Sequence, residues 1–192
     1  MRGESLHILG LRPCLELFDT LADLLVYPEP GLRTRIEHCR EHLLRVVPGG
    51  GSLLDRYAEI MESKPLSEIE ESYISTFDLN PACTLDLGWH LFGEDYNRGR
   101  YLVRLRRELR RCGVAEREEL PDHLTLALRL LARMQPAEGA EFASCCVGPA
   151  LEKIMNSLPG DNPYHALLET VKAAIDTVFG PVAEESKHGA TA

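Results

Sequence analysis

The residues that could carry chemistry are concentrated in one short stretch, Glu119-Leu120-Pro121-Asp122-His123-Leu124. A carboxylate next to an imidazole can serve catalysis or recognition, and perturbed acid–histidine pairs occur preferentially at functional sites. The same residues also have a structural interpretation, because proline suits the first helical position and a carboxylate in the first turn is favoured by the helix dipole. Taken alone, Asp122 and His123 therefore indicate either a helix start or a binding site.

A second pattern with chemical potential is His38-Cys39-Arg40-Glu41-His42, which matches the H-x-x-E-H signature of one metallopeptidase class. Two histidines four residues apart on a helix can share a metal, and the glutamate could act as the base. However, His38, Glu41 and His42 point away from the apolar stripe of their helix, and no later pattern supplies a third protein ligand. A metal-dependent hydrolase therefore remains an alternative function, beside a solvated helix face.

Composition limits the classes of protein that need to be considered. The chain has 192 residues, of which 44% are hydrophobic and 27% are charged. This length predicts one domain, 1–192, that can bury a core without metals or disulfides. The formal net charge of −9 argues against a nucleic-acid partner and favours a cationic one.

The six cysteines are scattered without a C-x-x-C pair, and the N-terminus lacks the pattern of a secretory signal. Reduced thiols and a cytoplasmic location are therefore expected. No apolar run approaches the roughly 20 residues that span a bilayer, so membrane insertion is not expected.

The chemical residues must be positioned by helices, because apolar residues recur at helical spacing throughout and no segment shows strict two-residue alternation. We predict an all-α, compact bundle of about eight to nine helices, with flexible tails at 1–13 and 180–192. The predicted helices are 14–26, 32–46, 53–61, 67–79, 84–92, 97–112, 124–131, 136–158 and 163–179.

The helix predicted from Ser67 begins with a capping box, in which Ser67 is the N-cap and Glu70 lies three residues later. On this helix Ile69, Tyr73 and Phe77 share one face. Such a face is either core packing or the lining of a groove for an apolar peptide.

The helix predicted over 97–112 is the most polarised of the chain. Its arginines face away from its leucines, which indicates a solvated cationic face or a contact with phosphate or an acidic partner; they are Arg100, Arg104, Arg107 and Arg111. Arg98 falls outside this stripe, closer to the apolar side, so a partly buried ion pair is predicted for it.

Several short motifs follow one another in a characteristic order. They are Leu24-Leu25 with Tyr27-Pro28, Leu66-Ser67 with Glu70, Tyr73 and Phe77-Asp78, His90 with Gly93-Glu94, Arg98-Gly99, Gly113, the stretch 119–124, and Tyr164 with Leu167-Leu168. In this order and spacing the chain, from about Leu21 to Ile175, resembles the NarJ-type nitrate reductase assembly chaperones, which are related to the wider TorD-like group.

The resemblance implies an all-helical cytoplasmic chaperone that binds the apo catalytic subunit of a respiratory molybdoenzyme, often through its N-terminal segment, until the molybdenum cofactor is inserted. It implies no catalytic residue, no bound metal and no cofactor of the chaperone itself. The residues carried over as a client-peptide site are Tyr73, Phe77, Arg98, Leu120, Pro121, Asp122 and His123. A helical scaffold protein with another partner remains a further alternative.

The chain departs from the family pattern just after this motif. The pattern continues with a proline and then a glutamate, where this chain has Thr125 and Arg129. A base in place of an acid favours weaker binding of a basic peptide, or a different client.

Overall fold

A computed structural model describes residues 16–116 and 118–180, and within them the chain forms nine continuous helices and no β-strand. This confirms the predicted all-α bundle. The α-helical segments are α1 (16–24), α2 (Leu32–Val46), α3 (Gly51–Glu62), α4 (Leu66–Tyr73), α5 (Leu87–Phe92), α6 (Tyr96–Arg111), α7 (Leu124–Leu131), α8 (Pro136–Phe142), α9 (Gly148–Ser157) and α10 (Pro163–Phe179). The predicted tails lie outside the described residues, apart from Gly180, and stay a prediction.

The main hydrophobic core is organised around α10, which packs on α3, α9 and α2. Leu167, Leu168, Val171 and Ile175 of α10 are buried there, at the helical spacing of an apolar stripe. Burial of these side chains supplies the main driving force for folding, at about 25 cal/mol for each Å² of apolar surface removed from water.

A smaller core joins α6 to α7. It consists of the buried residues Leu105, Leu109, Val114, Leu126, Leu130 and Met134. The other side of α7 belongs to the main core through Leu124, Ala127, Leu128 and Leu131. Because α7 is buried on two sides, its sequence is an almost unbroken apolar run.

Two predicted helix starts are wrong. The capping box at Ser67 does not form: α4 begins at Leu66, Pro65 is the N-cap, and no side chain caps the helix. The extended backbone of Pro65 presents its carbonyl oxygen to the amide of Glu68, at 3.1 Å, so the helix starts before Ser67. The helix predicted from Thr84 begins instead at Leu87, because the backbone of Leu85 and Leu87 is hydrogen-bonded to another segment.

Two of the nine helices contain a π-helical turn. Ile74–Asp78 extends α4, and Ala143–Val147 joins α8 to α9. In the second case the cause lies in Pro149, which has no amide hydrogen to donate to a carbonyl in the preceding turn. Helix 136–157 therefore continues through Gly148-Pro149 with a locally widened turn.

The cysteines within the described residues are all free thiols. None of the helices in the described ranges combines the length and the apolar content that a bilayer crossing requires.

Candidate functional site

The stretch 119–124 forms a turn that is fastened to the segment before α5. Leu87 donates its amide to the backbone oxygen of Asp122 at 2.9 Å, and Leu124 donates its amide to the backbone oxygen of Leu85 at 2.8 Å. Asp86 and His123 thereby pair in antiparallel fashion. The helix α7 begins at Leu124, with His123 as its N-cap, so Asp122 precedes the helix and is not the first-turn carboxylate that a helix-start role requires.

The side chain of Asp122 lies completely inside the protein. Its Oδ2 accepts the amide hydrogen of Gly88 at 3.0 Å and lies 3.5 Å from Nε of Arg98. Its Oδ1 is buried without a hydrogen-bond donor among the described residues. Burial raises the pKa of Asp122 and the charge of Asp86 adds to this effect, while Arg98 and the Gly88 amide oppose it.

Arg98 connects this buried carboxylate to the surface. Its guanidinium donates to Oδ2 of Asp86 at 3.0 Å and lies 5.8 Å from the ring centre of Trp89, within cation–π range. Its side chain is 23% exposed, which confirms the predicted partly buried ion pair. One arginine therefore holds Asp86 and Asp122 together at the start of α5.

This arrangement requires glycine at position 88, because a larger residue would clash with Asp122. A Cβ atom at this position would lie 2.5 Å from Oδ2 of Asp122 and 3.1 Å from Cδ1 of Tyr101. In the sequence Gly88 falls within the helix predicted over 84–92, and no signal points to a contact with Asp122.

His123 caps α7 through its ring. Nδ1 accepts the amide hydrogen of Thr125 at 3.4 Å and lies 2.7 Å from the Thr125 hydroxyl, while Nε2 lies 3.7 Å from Oε2 of Glu119. Burial lowers the pKa of His123, against the opposing charges of Glu119, Asp86 and Asp78. The neutral imidazole therefore accepts at Nδ1 and directs Nε2 towards Glu119.

Tyr73 and Phe77 lie in the main core, with 4% and 3% of their surfaces exposed. The Tyr73 hydroxyl donates to the backbone oxygen of Leu25 at 3.0 Å, and the rings of Tyr73 and Phe77 both contact that of Tyr164. The sequence left open whether this helix face packs in the core or lines a peptide groove. In the free protein Tyr73 and Phe77 pack in the core.

Apolar side chains remain exposed around the turn, beside acidic ones. Leu120 is 46% exposed, Leu79 is 75% exposed and Tyr27 is 43% exposed. Tyr27 packs edge-on against Tyr73, and the charges of Glu119 and Asp78 both raise the pKa of Tyr73, after burial as the main cause. We call this surface the Leu120 face; it comprises Tyr27, Asp78, Leu79, Glu119 and Leu120.

Comparison with known proteins places these features in a family. The family model for the nitrate reductase delta subunit matches residues 47–158, which contain most of the Leu120 face and the whole Asp122 environment. The chain belongs to the nitrate reductase delta subunit family. This is the family of NarJ-type molybdoenzyme assembly chaperones that the motifs indicated, and it is a chaperone family rather than a catalytic one.

Two curated relatives of this delta-family chain come from Mycobacterium tuberculosis, strains CDC 1551 / Oshkosh and ATCC 25618 / H37Rv. Both are named nitrate reductase-like protein NarX and are 33% identical over 124 residues, which make up 63% of this chain. The matched segment is 18% of each relative, so the chain corresponds to a small part of a longer protein there.

Arg129, which stands where the resemblance leads us to expect a glutamate, has a structural role. It donates to Oδ1 of Asp23 at 2.7 Å and lies 3.6 Å from Oδ1 of Asp19, both on α1. The neighbouring Arg133 also donates to Asp19, at 2.7 Å. Arg129 therefore joins α7 to α1 and does not point at the Leu120 face as a free positive charge.

The H-x-x-E-H pattern of this delta-family member lies on α2. The two Nε2 atoms of His38 and His42 are 3.3 Å apart on the helix surface, and Glu41 is exposed beside them. In residues 16–116 and 118–180, no group of three or more His, Cys, Asp or Glu side chains could hold a metal ion. A catalytic zinc needs three protein ligands, and the pattern provides two imidazoles.

Proposed function

We propose that this chain is a cytoplasmic assembly chaperone that binds the N-terminal segment of an apo molybdoenzyme catalytic subunit, most simply a nitrate reductase, and supports insertion of the molybdenum cofactor before release. Membership of the delta subunit family gives the class of protein. The observation that carries the binding site is the Leu120 face, where Leu79, Leu120 and Tyr27 stay exposed next to Asp78 and Glu119.

The Leu120 face fits a basic amphipathic helix. Such a segment would lay its apolar side on Leu79 and Leu120, while Asp78 and Glu119 attract its lysines and arginines. The formal net charge of −9 adds a long-range attraction for a basic segment.

The sequence-predicted site residues take different roles in this proposal. Leu120 is the residue among them with the largest accessible apolar surface, whereas Asp122, His123 and Pro121 are buried and shape the turn that presents it. Arg98 fixes Asp122, Tyr73 packs against Tyr27, and Phe77 anchors in the main core the end of the helix that precedes Leu79. Binding thus depends on Asp122 through the position of Leu120.

Release is as important as binding for a chaperone. A segment that folds on binding loses several kcal/mol of the gross interaction energy to ordering. Because the Leu120 face is small, we expect it to bind the client with moderate affinity. The client can then dissociate quickly once its cofactor is in place.

Titration calorimetry with the N-terminal peptide of the co-encoded catalytic subunit tests the proposal. Leu120→Ser should weaken binding about tenfold, because it removes a central apolar contact. Glu119→Lys should weaken peptide binding and make the affinity less dependent on salt concentration. Asp122→Asn should weaken it as well, by loosening the Arg98 ion pair that holds the turn.

Leu44→Ser is the matched control, because Leu44 is an exposed leucine, at 63%, on α2. Its affinity for the peptide should equal that of the wild type. Absence of binding to the peptide and to the full apo subunit would sink the proposal, and binding only to an unrelated helical protein would favour the scaffold alternative.

A further inference from the structure

A second exposed surface runs along α6 and has the opposite charge. Three exposed arginines, Arg100, Arg104 and Arg107, line a shallow depression with a volume of about 640 Å³. The side chains of Tyr96 and Val103 line it as well. Tyr96 is 84% exposed and Val103 is 50% exposed. We call this surface the α6 face; it comprises Tyr96, Arg100, Val103, Arg104 and Arg107.

The arginines of the α6 face lack the ion pairs that Arg106 and Arg111 of the same helix form. Arg106 donates to Glu116 at 2.7 Å, and Arg111 donates to Glu108 and Glu138, each at 2.7 Å. By contrast, no carboxylate within the described part of the chain lies at ion-pair distance from Arg100, Arg104 or Arg107. The chain has 30 acidic and 21 basic residues, so an uncompensated cationic stripe is available here for an acidic ligand.

The α6 face continues into an apolar cleft. A cavity of about 370 Å³ lies between α6 and helix 136–157, and Phe92, Tyr101 and Arg104 line both this cavity and the concave surface along α6. Its apolar lining also includes Leu105, Met134 and Phe142. Glu108, Arg111, Glu138 and Glu141 also line the cavity, and Arg111 donates to Glu108 and Glu138. One continuous surface therefore offers arginines without a carboxylate partner next to aromatic and aliphatic side chains.

We propose that this surface docks an acidic amphipathic helix of a partner protein. The three arginines recur at i, i+4 and i+7 and span about 10 Å along α6. A helix packed alongside with acids at the same spacing pairs with them in register, and its apolar side chains reach Phe92 and Tyr101.

The ligand class follows from the charge of the whole chain and from the apolar cleft. A nucleic-acid backbone carries its negative charge along its whole length, so beyond the three arginines it would meet a chain with a formal net charge of −9. An amphipathic helix can place its acids towards the arginines and its apolar side chains towards Phe92 and Tyr101. The surface therefore selects a segment of opposite charge to the one proposed for the Leu120 face, and it stands independently of that proposal.

The test uses two synthetic peptides on the full-length chain. One is a fluorescently labelled amphipathic helix with glutamates at i, i+4 and i+7 and leucines on the adjacent face; the other has glutamines in place of the glutamates, because a basic peptide would bind the Leu120 face. We expect the glutamate peptide to bind at least tenfold more tightly, with affinity that falls as salt is added.

Arg104→Glu should weaken the glutamate peptide at least tenfold, and Tyr96→Ser should weaken it several-fold without a change of charge. Arg45→Glu is the matched control, since Arg45 is exposed on α2 and its substitution changes the net charge by the same amount. Circular dichroism verifies the fold of each variant.

Four results would overturn the inference. The first two are equal binding of both peptides and an equal loss in Arg45→Glu. The third is a self-association of the chain in sedimentation equilibrium that disappears in Arg104→Glu while the peptide does not bind, which would make the α6 face an interface between two copies. The fourth is displacement of the glutamate peptide from the wild type by a double-stranded DNA oligonucleotide, which would contradict a peptide-specific surface.

Discussion

The position of Asp122 is fixed by a hydrogen bond, an ion pair and close packing. Its Oδ2 receives the Gly88 amide and faces Arg98, and the carboxylate is completely buried. Removing one partner of a buried, hydrogen-bonded charge costs about 3–5 kcal/mol, because the other partner remains uncompensated. The environment of Asp122 is thus a structural centre that the proposed binding surface depends on.

Gly88→Ala should destabilise the protein by about 1–3 kcal/mol, because the new methyl group would crowd Oδ2 of Asp122 and the Tyr101 ring. The matched control is Gly99→Ala on α6, where a Cβ atom meets nothing within 4 Å. Both substitutions improve helix propensity, by up to about 1 kcal/mol, so their difference isolates the crowding. Urea unfolding measures both; equal stability of the two variants would contradict the tight contact.

His123 should make stability depend on pH. Burial lowers its pKa in the folded protein, while in the unfolded chain it is about 6.5. Between the two values the unfolded chain binds more protons, so stability falls as the pH is lowered through about 6.5, by at most about 1.4 kcal/mol for each pH unit. Glu119, Asp86 and Asp78 face the ring and limit the effect.

His123→Asn should flatten this dependence, because asparagine also caps helices but does not titrate. Burial lowers the pKa of His90 as well, so the comparison is made between the variant and the wild type, which share His90. Asp122 and Asp78, whose raised pKa values act in the opposite direction, are also shared by the two proteins, so the comparison by urea unfolding between about pH 8 and about pH 6 isolates His123. Parallel curves for the two proteins would show that His123 does not titrate differently on unfolding.

At the residue scale the sequence predicted which residues belong to the candidate site better than it predicted their contacts. The motif that contains Asp122 and His123 was found, and so was the ion pair of Arg98. The acceptor Asp86, the close approach of Gly88 and the Thr125 hydroxyl beside the His123 ring were not found. These contacts connect residues brought together by the packing of α5, α6 and α7, and no local pattern encodes such a meeting.

At the scale of elements, helix interiors follow from periodicity and helix starts do not. Thr84 to Asp86 continue the apolar pattern of α5, yet Leu85 and Leu87 give their backbone groups to Asp122 and Leu124 instead. Ser67 has the sequence of a cap, yet Pro65 is the N-cap and the helix begins at Leu66. In both places a contact or a fixed backbone angle outweighs side-chain preference.

The connection between α7 and α1 also belongs to this scale. Arg129→Ala should cost about 1 kcal/mol, since the ion pairs with Asp19 and Asp23 are partly exposed. Arg129→Glu, which introduces the acid of the family pattern, should cost more, because it adds repulsion from both aspartates. Thermal unfolding measures the two variants, and 1 M salt should reduce the gap between them. A more stable Arg129→Glu variant would contradict this assignment.

At the scale of the whole molecule, α7 connects the two cores. Leu124 and Leu128 belong to the main core, and Leu126 and Leu130 belong to the smaller one. A helix that is buried on both sides cannot leave one core without opening the other. We therefore propose that the described residues form one cooperative domain, as the length of the chain predicted.

Cooperative unfolding can be followed with two probes that report on different regions. Trp89, the only tryptophan, lies on α5, whereas far-UV circular dichroism reports on all helices. Leu130→Ala, in the smaller core, should lower the stability by about 2–5 kcal/mol through the cavity it leaves. If the two cores are one domain, the urea transitions of both probes shift together in this variant and remain coincident. A dichroism transition that moves to lower urea while the Trp89 transition stays in place would show that the smaller core unfolds on its own.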